Sequence, residues 1–174
     1  VPLWAKIAVP AAVIVIVVVA LVVTLPAALH PKHQVQGVVE LIDSDGSIEG
    51  SWDACSGTGG YSDVTAGAAA TMRDSKGHII GSISVTNLNE STLKDMVEAD
   101  KRYGLAGWGG DASKVKTLLT QSADVGSACV LYFSGDVEDS DFYSFTFANR
   151  GALTYSKSDL AKSGWWLSLK LGDN

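Results

Sequence analysis

The chain has little positive charge, no long repeat and only two cysteines, and these shortages exclude several classes of protein. From position 30 onward, 12 lysine and arginine residues stand against 19 aspartate and glutamate residues, a net charge of −7. A nucleic-acid surface needs clustered basic charge, so this balance argues against a nucleic-acid partner. Without a glycine period or a heptad pattern, collagen-like and coiled-coil proteins are excluded, and the ample apolar content excludes a wholly disordered chain.

Charged residues are also missing from one continuous stretch, residues 7–29. A helix of that length, rising about 1.5 Å per residue, can cross a hydrocarbon core of roughly 30 Å. The stretch is longer than the apolar region of a cleaved signal peptide, and His30 and Pro31 follow it instead of a small-residue cleavage site. The sequence therefore predicts a single-pass transmembrane anchor over residues 1–29, in contact with the lipid bilayer.

The flanking charges do not orient this predicted helix, because Lys6 on one side is matched by Lys32 on the other. The remaining chain is acidic, rich in glycine and serine and poor in cysteine, which is typical of an exported domain. We therefore expect a cell-membrane protein whose C-terminal domain is extracytoplasmic. Residues 30–37 are predicted to be a juxtamembrane linker, and residues 38–174 the folded domain.

Small residues recur at multiples of four within the predicted helix, interrupted only by Ile16. The members of this small-residue row are Ala8, Ala12, Ala20, Thr24 and Ala28. Such rows let the backbones of two membrane helices approach closely, so they are candidate helix-packing residues against an integral membrane partner. The alternative is a helix that faces lipid and carries ordinary alanines.

Beyond the predicted anchor, apolar and polar residues alternate in five rows, as in strands with one face toward a core. The apolar members of the rows are Val35, Val39 and Leu41; Ile79, Ile83 and Val85; Cys129, Leu131 and Phe133; Tyr143, Phe145 and Phe147; and Trp165, Leu167, Leu169 and Leu171. Residues 68–73 and 152–155 add two short strands. Seven short strands separated by turn residues predict an all-β fold, a sandwich or a barrel, of which we expect the antiparallel β-sandwich.

Residues 89–124 break this alternation and predict a helical insertion. Thr92 and Asp95 have the spacing of a capping box, and Asp111 is placed to begin a second helix. The residues expected to pack these helices on the domain are Leu93, Met96, Val97, Val115, Leu118 and Leu119. Between the helices, Trp108 lies in a glycine-rich loop that is a possible partner-binding loop. An elaborated strand connection is the favoured alternative to a dedicated binding element.

The two cysteines, Cys55 and Cys129, predict a disulfide, because an even pair in an exported domain is more often a bridge than a metal site. Two thiolates without neighbouring histidines cannot complete a tetrahedral zinc site. A bridge between them would close a loop of about 75 residues, which contributes about 4.5 kcal/mol on the chain-entropy estimate.

Three further features of the sequence could indicate a chemical site: a glycine-rich stretch, two acidic turns and three histidines. The glycine-rich stretch 56–61 has Ser62 where the third glycine of a dinucleotide loop belongs, and no phosphate-loop lysine follows. The turn at Asp43 begins like a calcium loop but has Ile48 and Ala54 at its sixth and twelfth positions. A surface cation at this turn or at the acidic turn 136–141 is a minor alternative. His30, His33 and His78 have no paired nucleophile in the sequence. We therefore expect no catalytic, metal or cofactor site.

The stretch Cys-Ser-Gly-Thr-Gly-Gly-Tyr-Ser-Asp-Val at 55–64, with Arg150-Gly151 and Tyr155-Ser156 later in the chain, resembles a group of actinobacterial membrane-anchored extracytoplasmic domains. The resemblance covers about half of the predicted domain, and it implies that Cys55 and Cys129 are bridged. The helical insertion departs from the shorter connection of that group.

Some small single-pass proteins of this design accompany the actinobacterial respiratory supercomplex of cytochrome bcc and the haem-copper oxidase as accessory subunits. The resemblance thus implies a non-catalytic accessory subunit that docks its outer domain on partner subunits. The alternative is an independent membrane-anchored binding module for a wall component, a cation or a small ligand.

Overall fold

The computed structural model describes residues 31–104 and 111–172. The predicted anchor with its small-residue row lies outside the described residues, and so does Trp108. Among the helices that are described, none combines the length and the apolar character needed to cross a membrane. The chain divides into two units, residues 1–32 and residues 33–174, and the fold described below is that of the second unit. The strand that opens it begins one residue before this boundary, at Lys32.

The described residues form nine strands, three helices and one 3-10 turn. The strands are β1 (Lys32–Ile42), β2 (Ile48–Ser51), β3 (Ala54–Gly57), β4 (Ala70–Arg73), β5 (Ile79–Asn87), β6 (Ala128–Glu138), β7 (Phe142–Phe147), β8 (Leu153–Ser156) and β9 (Trp166–Gly172). The helices are α1 (Glu90–Tyr103), α2 (Ala112–Asp124) and α3 (Lys157–Lys162), and the 3-10 turn is Gly59–Tyr61. Residues 32–37, predicted as a linker, are therefore part of β1, and Val35 is fully buried there.

Seven strands form one curled sheet in the order β8-β7-β4-β5-β6-β1-β9, and β2 and β3 form a separate hairpin. Strands account for 44% of the described residues, which confirms the mainly-β class. The predicted antiparallel sandwich is corrected to a single mixed sheet, because β9 runs parallel to β1. An alternating pattern specifies which face of a strand is buried, but it specifies neither the neighbouring strand nor its direction.

The inner face of the sheet carries the larger apolar cluster, which we call the inner core. Its members include buried residues of all five predicted rows, with Phe133 and Phe145 stacked at a centroid distance of 5.0 Å. Leu160 of α3 also belongs to it. In the chain, α3 connects β8 to β9, which are the two edge strands of the sheet. Its Leu160 side chain therefore packs on the inner core where the sheet has no further strand.

A second cluster, which we call the outer core, lies between the other face of the sheet and the helices α1 and α2. It comprises Val38, Leu88, Leu93, Met96, Val97, Val115, Val130, Tyr132 and Trp166. In the alternating pattern, Val38 and Trp166 lie at the positions between the core residues of their strands. The pattern therefore predicts that both face solvent. The sheet is thus buried on both faces where α1 and α2 cover it.

The two predicted helices of the insertion are confirmed, with two corrections of detail. Asn89, not Thr92, is the N-cap of α1, since its side chain accepts the N–H groups of Ser91 and Thr92 while the Thr92 hydroxyl accepts the N–H of Asn89. Asp111 caps α2 as predicted. Leu118 is 61% exposed instead of packed, because its side chain lies on the face of α2 that is turned away from the sheet.

Candidate functional site

The disulfide between Cys55 and Cys129 is confirmed, with the two Cα atoms 5.6 Å apart. It connects β3 of the small hairpin to β6 of the main sheet, and both cysteines are buried in the inner core. The bridge therefore fixes the hairpin on the sheet and carries no free thiol for chemistry.

The glycine-rich stretch after Cys55 meets the Arg150 turn in space, although the two lie about 90 residues apart in the chain. The Arg150 guanidinium donates to Asp63 Oδ1 at 2.5 Å and to the carbonyl oxygen of Gly60 at 3.0 Å. It also lies 5.0 Å from the centroid of the Tyr61 ring. We call Tyr61, Asp63 and Arg150 the clasp.

The clasp depends on tight backbone geometry and on one ion pair. A Cβ atom at Gly57 would lie 2.3 Å from the Tyr61 carbonyl oxygen, so only glycine lets the 3-10 turn fold back on β3. Partial burial opposes ionisation of Asp63, but hydrogen bonds from Arg150 and Asn149 and the charge of Arg150 outweigh it and lower the pKa of this carboxyl. The clasp thus favours an ionised Asp63 and a fixed loop.

A second polar cluster lies where β1 begins. The ring of His33 stacks on Trp165 at a centroid distance of 3.8 Å, and Tyr143 meets Trp165 edge-on at 5.4 Å. The His33 Nε2 atom is 2.7 Å from Asp139 Oδ1, and the Lys157 ammonium donates to both oxygens of that carboxylate. We call these five residues the β1 lock, because they tie the first strand to the β6–β7 turn and to α3.

The backbone of Trp165 is unusual for a bulky residue, since its φ angle is 63° and that of the preceding Gly164 is 64°. The left-handed region is rarely adopted by large side chains, and it persists only where surrounding contacts impose it. Here His33 and Tyr143 hold the Trp165 ring, while a Cβ atom at Gly164 would lie 2.2 Å from the ring of Tyr103. The turn before β9 is therefore held in this conformation by His33 and Tyr143 on the Trp165 ring and by Tyr103 beside Gly164.

The electrostatics of the β1 lock are those of a structural ion pair. Hydrogen bonds from Lys157 and His33 lower the pKa of Asp139, and the same contact with Asp139 raises the pKa of Lys157. A histidine paired with a carboxylate can act as a general base when a nucleophile adjoins it. In this cluster the carboxylate is shared with an ammonium group, and the imidazole is stacked on an indole ring, so the arrangement positions β1.

The acidic turn at Asp43 is engaged by its own backbone. The Asp43 carboxylate accepts the N–H groups of Asp45 at 3.0 Å and Ser47 at 3.1 Å. The Ser47 side-chain hydrogen bond and these backbone bonds together lower the pKa of the carboxyl. Among the residues that the structure describes, no three histidine, cysteine, aspartate or glutamate side chains are grouped as a metal site requires.

Two surface features remain as candidates for binding. An open groove of about 620 Å³ runs along α1 to the start of α2, and its lining includes Lys94, Lys101 and Arg102. At the end of the sheet where β1 begins, Ile79 and Phe142 are 55% and 51% exposed. Ile79 was predicted to be buried, and it is exposed because it lies at the first position of β5, beyond the packed part of the sheet.

Sequence reasoning missed the clasp, the β1 lock and the sheet side of the outer core, whereas the helix side of that core, Leu93, Met96, Val97 and Val115, is as predicted. In the clasp, Asp63 and Arg150 are 87 positions apart along the chain, and in the β1 lock, His33 and Asp139 are 106 positions apart. No local spacing in the sequence therefore links the members of either pair. The sequence does contain a signal for the outer core, because Val38 and Val130 are apolar although they lie at strand positions that alternate with the inner-core residues.

Comparison with known proteins gives no match to a family model, a curated sequence or a solved structure.

Proposed function

We propose that this chain is a membrane-anchored, non-catalytic accessory subunit whose outer domain docks on an integral membrane partner. The observation that carries the proposal is the short distance in sequence between the uncharged run, which ends at Leu29, and β1, which begins at Lys32. His30 and Pro31 together span at most about 7 Å. A tether of this length suits docking on a neighbouring subunit better than search for a distant ligand.

The polar clusters of the domain also support a binding role over a chemical one. Asp63 is held by Arg150, and Asp139 is held by Lys157 and His33. A catalytic carboxylate needs freedom to exchange a proton with substrate near its working pH. Both of these carboxyl groups have lowered pKa values and are committed to contacts that fix loops or strands.

The acidity of the domain indicates the kind of outer contact. With 12 basic against 19 acidic residues from position 30 onward, the domain would favour a basic patch on the partner. A contact between exposed charges weakens as salt is added, whereas close packing of helices in lipid does not. The respiratory supercomplex of cytochrome bcc and haem-copper oxidase, implied by the resemblance, is the candidate partner.

The test replaces Ala20, Thr24 and Ala28 by leucine in the full chain and measures co-purification with integral membrane proteins in mild detergent. The larger side chains keep the segment apolar but prevent close helix approach, so we expect association to fall while membrane insertion and the disulfide persist. The matched control replaces Val18 and Val22, which fall on the opposite face of the predicted helix, by leucine. Equal association of both variants with the partner would refute the helix contact.

The second candidate function is an independent binding module, and the groove beside α1 favours it. The groove is lined by Lys94, Lys101 and Arg102 and also by Glu98, which pairs with Arg102 at 2.8 Å. Lys94 and Lys101 are therefore the cationic side chains left to bind a small anionic ligand. Under this alternative the chain purifies alone and charge reversal at Lys94 and Lys101 abolishes ligand binding. Under the proposed function the same changes leave helix-mediated association in place.

A further inference from the structure

The main sheet ends in two edge strands of different character. β8 has four residues and continues directly into α3, whereas β9 has seven residues and only β1 as a neighbour. Edge strands present unpaired backbone groups that can pair with another chain, and longer edges present more of them. β9 is therefore the edge with the greater capacity to accept a further strand.

The register shows which backbone groups of β9 are unpaired. The N–H of Gln36 donates to the carbonyl oxygen of Trp165 at 3.0 Å, and Gln36 is the register partner of Trp166. In a parallel ladder this arrangement directs the N–H and C=O groups of residues 167, 169 and 171 toward β1. The same groups of Ser168 and Lys170 point to the free edge, and within residues 31–104 and 111–172 no backbone partner engages them.

Beyond its first residue, whose N–H donates to the Ser163 carbonyl oxygen at 3.2 Å, β9 carries few of the features that usually block an edge. Proline, bulges and lysines placed over the edge commonly prevent strand addition. The strand Trp-Leu-Ser-Leu-Lys-Leu-Gly contains no proline, and its register with β1 is continuous from Trp166 to Gly172. Its one lysine, Lys170, reaches toward β1, with its Nζ 3.7 Å from Glu40 Oε2.

An open hollow of about 300 Å³ lies beside this edge, and its lining includes Tyr155, Leu160 and Leu167. These residues belong to β8, α3 and β9, so the hollow occupies the gap between the two edge strands. A strand added about 4.8 Å from β9 would direct alternate side chains toward this hollow. Asp159, Ser163 and Ser168 also border the hollow, but its larger lining side chains are apolar or aromatic, so it suits an apolar side chain.

We infer that the free edge of β9 is the docking site for an extended segment of the integral partner. The segment adds as an eighth strand, with backbone hydrogen bonds to Ser168 and Lys170 and with one apolar side chain in the hollow beside Leu160. The inference rests on the proposed function and names the chemistry of its outer contact: a β-strand supplied by the partner.

Backbone amide exchange in the full chain tests this inference. The chain is purified in mild detergent with its partner, and the exchange rates of the Ser168 and Lys170 amides are compared with those after the partner is dissociated. We expect these two amides to exchange at least tenfold more slowly in the complex, while the β1-paired amides of Leu167 and Leu169 are protected in both samples.

A pair of variants provides a second measurement. Ser168→Pro removes the edge N–H and leaves the β1 ladder intact, so we expect co-purified partner to fall roughly tenfold, whereas Ser168→Thr retains the N–H and the association. Disulfide formation and thermal unfolding check the fold of each variant. If Ser168→Pro does not fold, the exchange measurement on the unaltered chain decides.

The outcomes separate this inference from the proposed function. A chain that co-purifies with its partner but shows rapid exchange at Ser168 and Lys170 overturns the edge site and leaves the accessory role standing. A chain that elutes alone contradicts the accessory role, and with it the partner strand. Protection of the two amides in a self-associated form would identify a second copy as the occupant and would overturn the inference as stated.

Discussion

The inner and outer cores lie on opposite faces of the same sheet and differ in how they are built. The inner core draws on most strands of the main sheet, holds the disulfide, and is continuous from β1 to β7. The outer core depends on α1 and α2, which contribute Leu93, Met96, Val97 and Val115. We therefore expect the inner core to determine whether the sheet forms, and the outer core to determine whether the helical insertion stays packed on it.

The largest expected effect comes from removing the disulfide of the inner core. Replacing Cys55 and Cys129 by alanine frees a loop spanning 74 positions, and we expect the free energy of unfolding to fall by about 4.5 kcal/mol, with 2–5 as the usual range. Denaturant titration of the detergent-solubilised chain, followed by tryptophan fluorescence, measures the loss. An unchanged unfolding midpoint would mean that the hairpin is held without the bridge.

Phe133→Ala should come next, with a cost of about 3–5 kcal/mol. Its ring is fully buried and stacks on Phe145, so truncation leaves a cavity in the centre of the inner core. We expect one cooperative transition at lower denaturant, monitored by circular dichroism. A change confined to the helical signal would contradict the role assigned to the inner core.

Met96→Ala in the outer core should cost about 2–4 kcal/mol, and its effect should be local. Met96 is 3% exposed and packs between α1 and the sheet. We expect amide exchange in α1 and α2 to accelerate while β4, β5 and β7 stay protected. The matched control is Leu118→Ala on the exposed face of α2, which should change stability by less than about 0.5 kcal/mol.

The smallest effect concerns the clasp. Asp63→Asn removes the charge that pairs with Arg150 and should cost about 1–2 kcal/mol. Because the folded-state pKa of Asp63 is lowered, its contribution is present above the ordinary value of 3.8 and is lost as pH falls through the lower, folded value. The unfolding midpoints of the variant and the original chain should therefore converge progressively as pH falls below 3.8. A gap that stays constant throughout this acid range would contradict the ion pair.

The contrast between the cores also explains what the sequence could predict. Alternation located the inner residues Val35, Leu131 and Phe145 because each strand has one face toward that core. It could not locate the outer core, because Val130, Tyr132 and Trp166 occupy the strand positions that alternate with inner-core residues. They are buried only because α1 and α2 fold back over the sheet. The helices themselves were predictable from the apolar spacing of Leu93, Met96 and Val97.

The remaining features of the fold depend on contacts between residues that are far apart in the sequence. The parallel pairing of β9 with β1 follows from the path of the chain through α3, which no local pattern specifies. The left-handed Trp165 and its stack on His33 depend on a contact between residues more than 130 positions apart. The disulfide was predictable because two cysteines allow one intramolecular bridge.

One measurement tests the central claim, that an anchored chain docks its domain on an integral partner. The full chain is extracted from its native membranes in mild detergent, washed in high salt, and its particle mass and subunit ratio are determined. We expect a particle that contains an integral membrane partner in fixed proportion, and the partner should be retained after the salt wash because helix packing in lipid is not screened. Recovery of the chain alone, without a stoichiometric membrane partner before the salt wash, would contradict it.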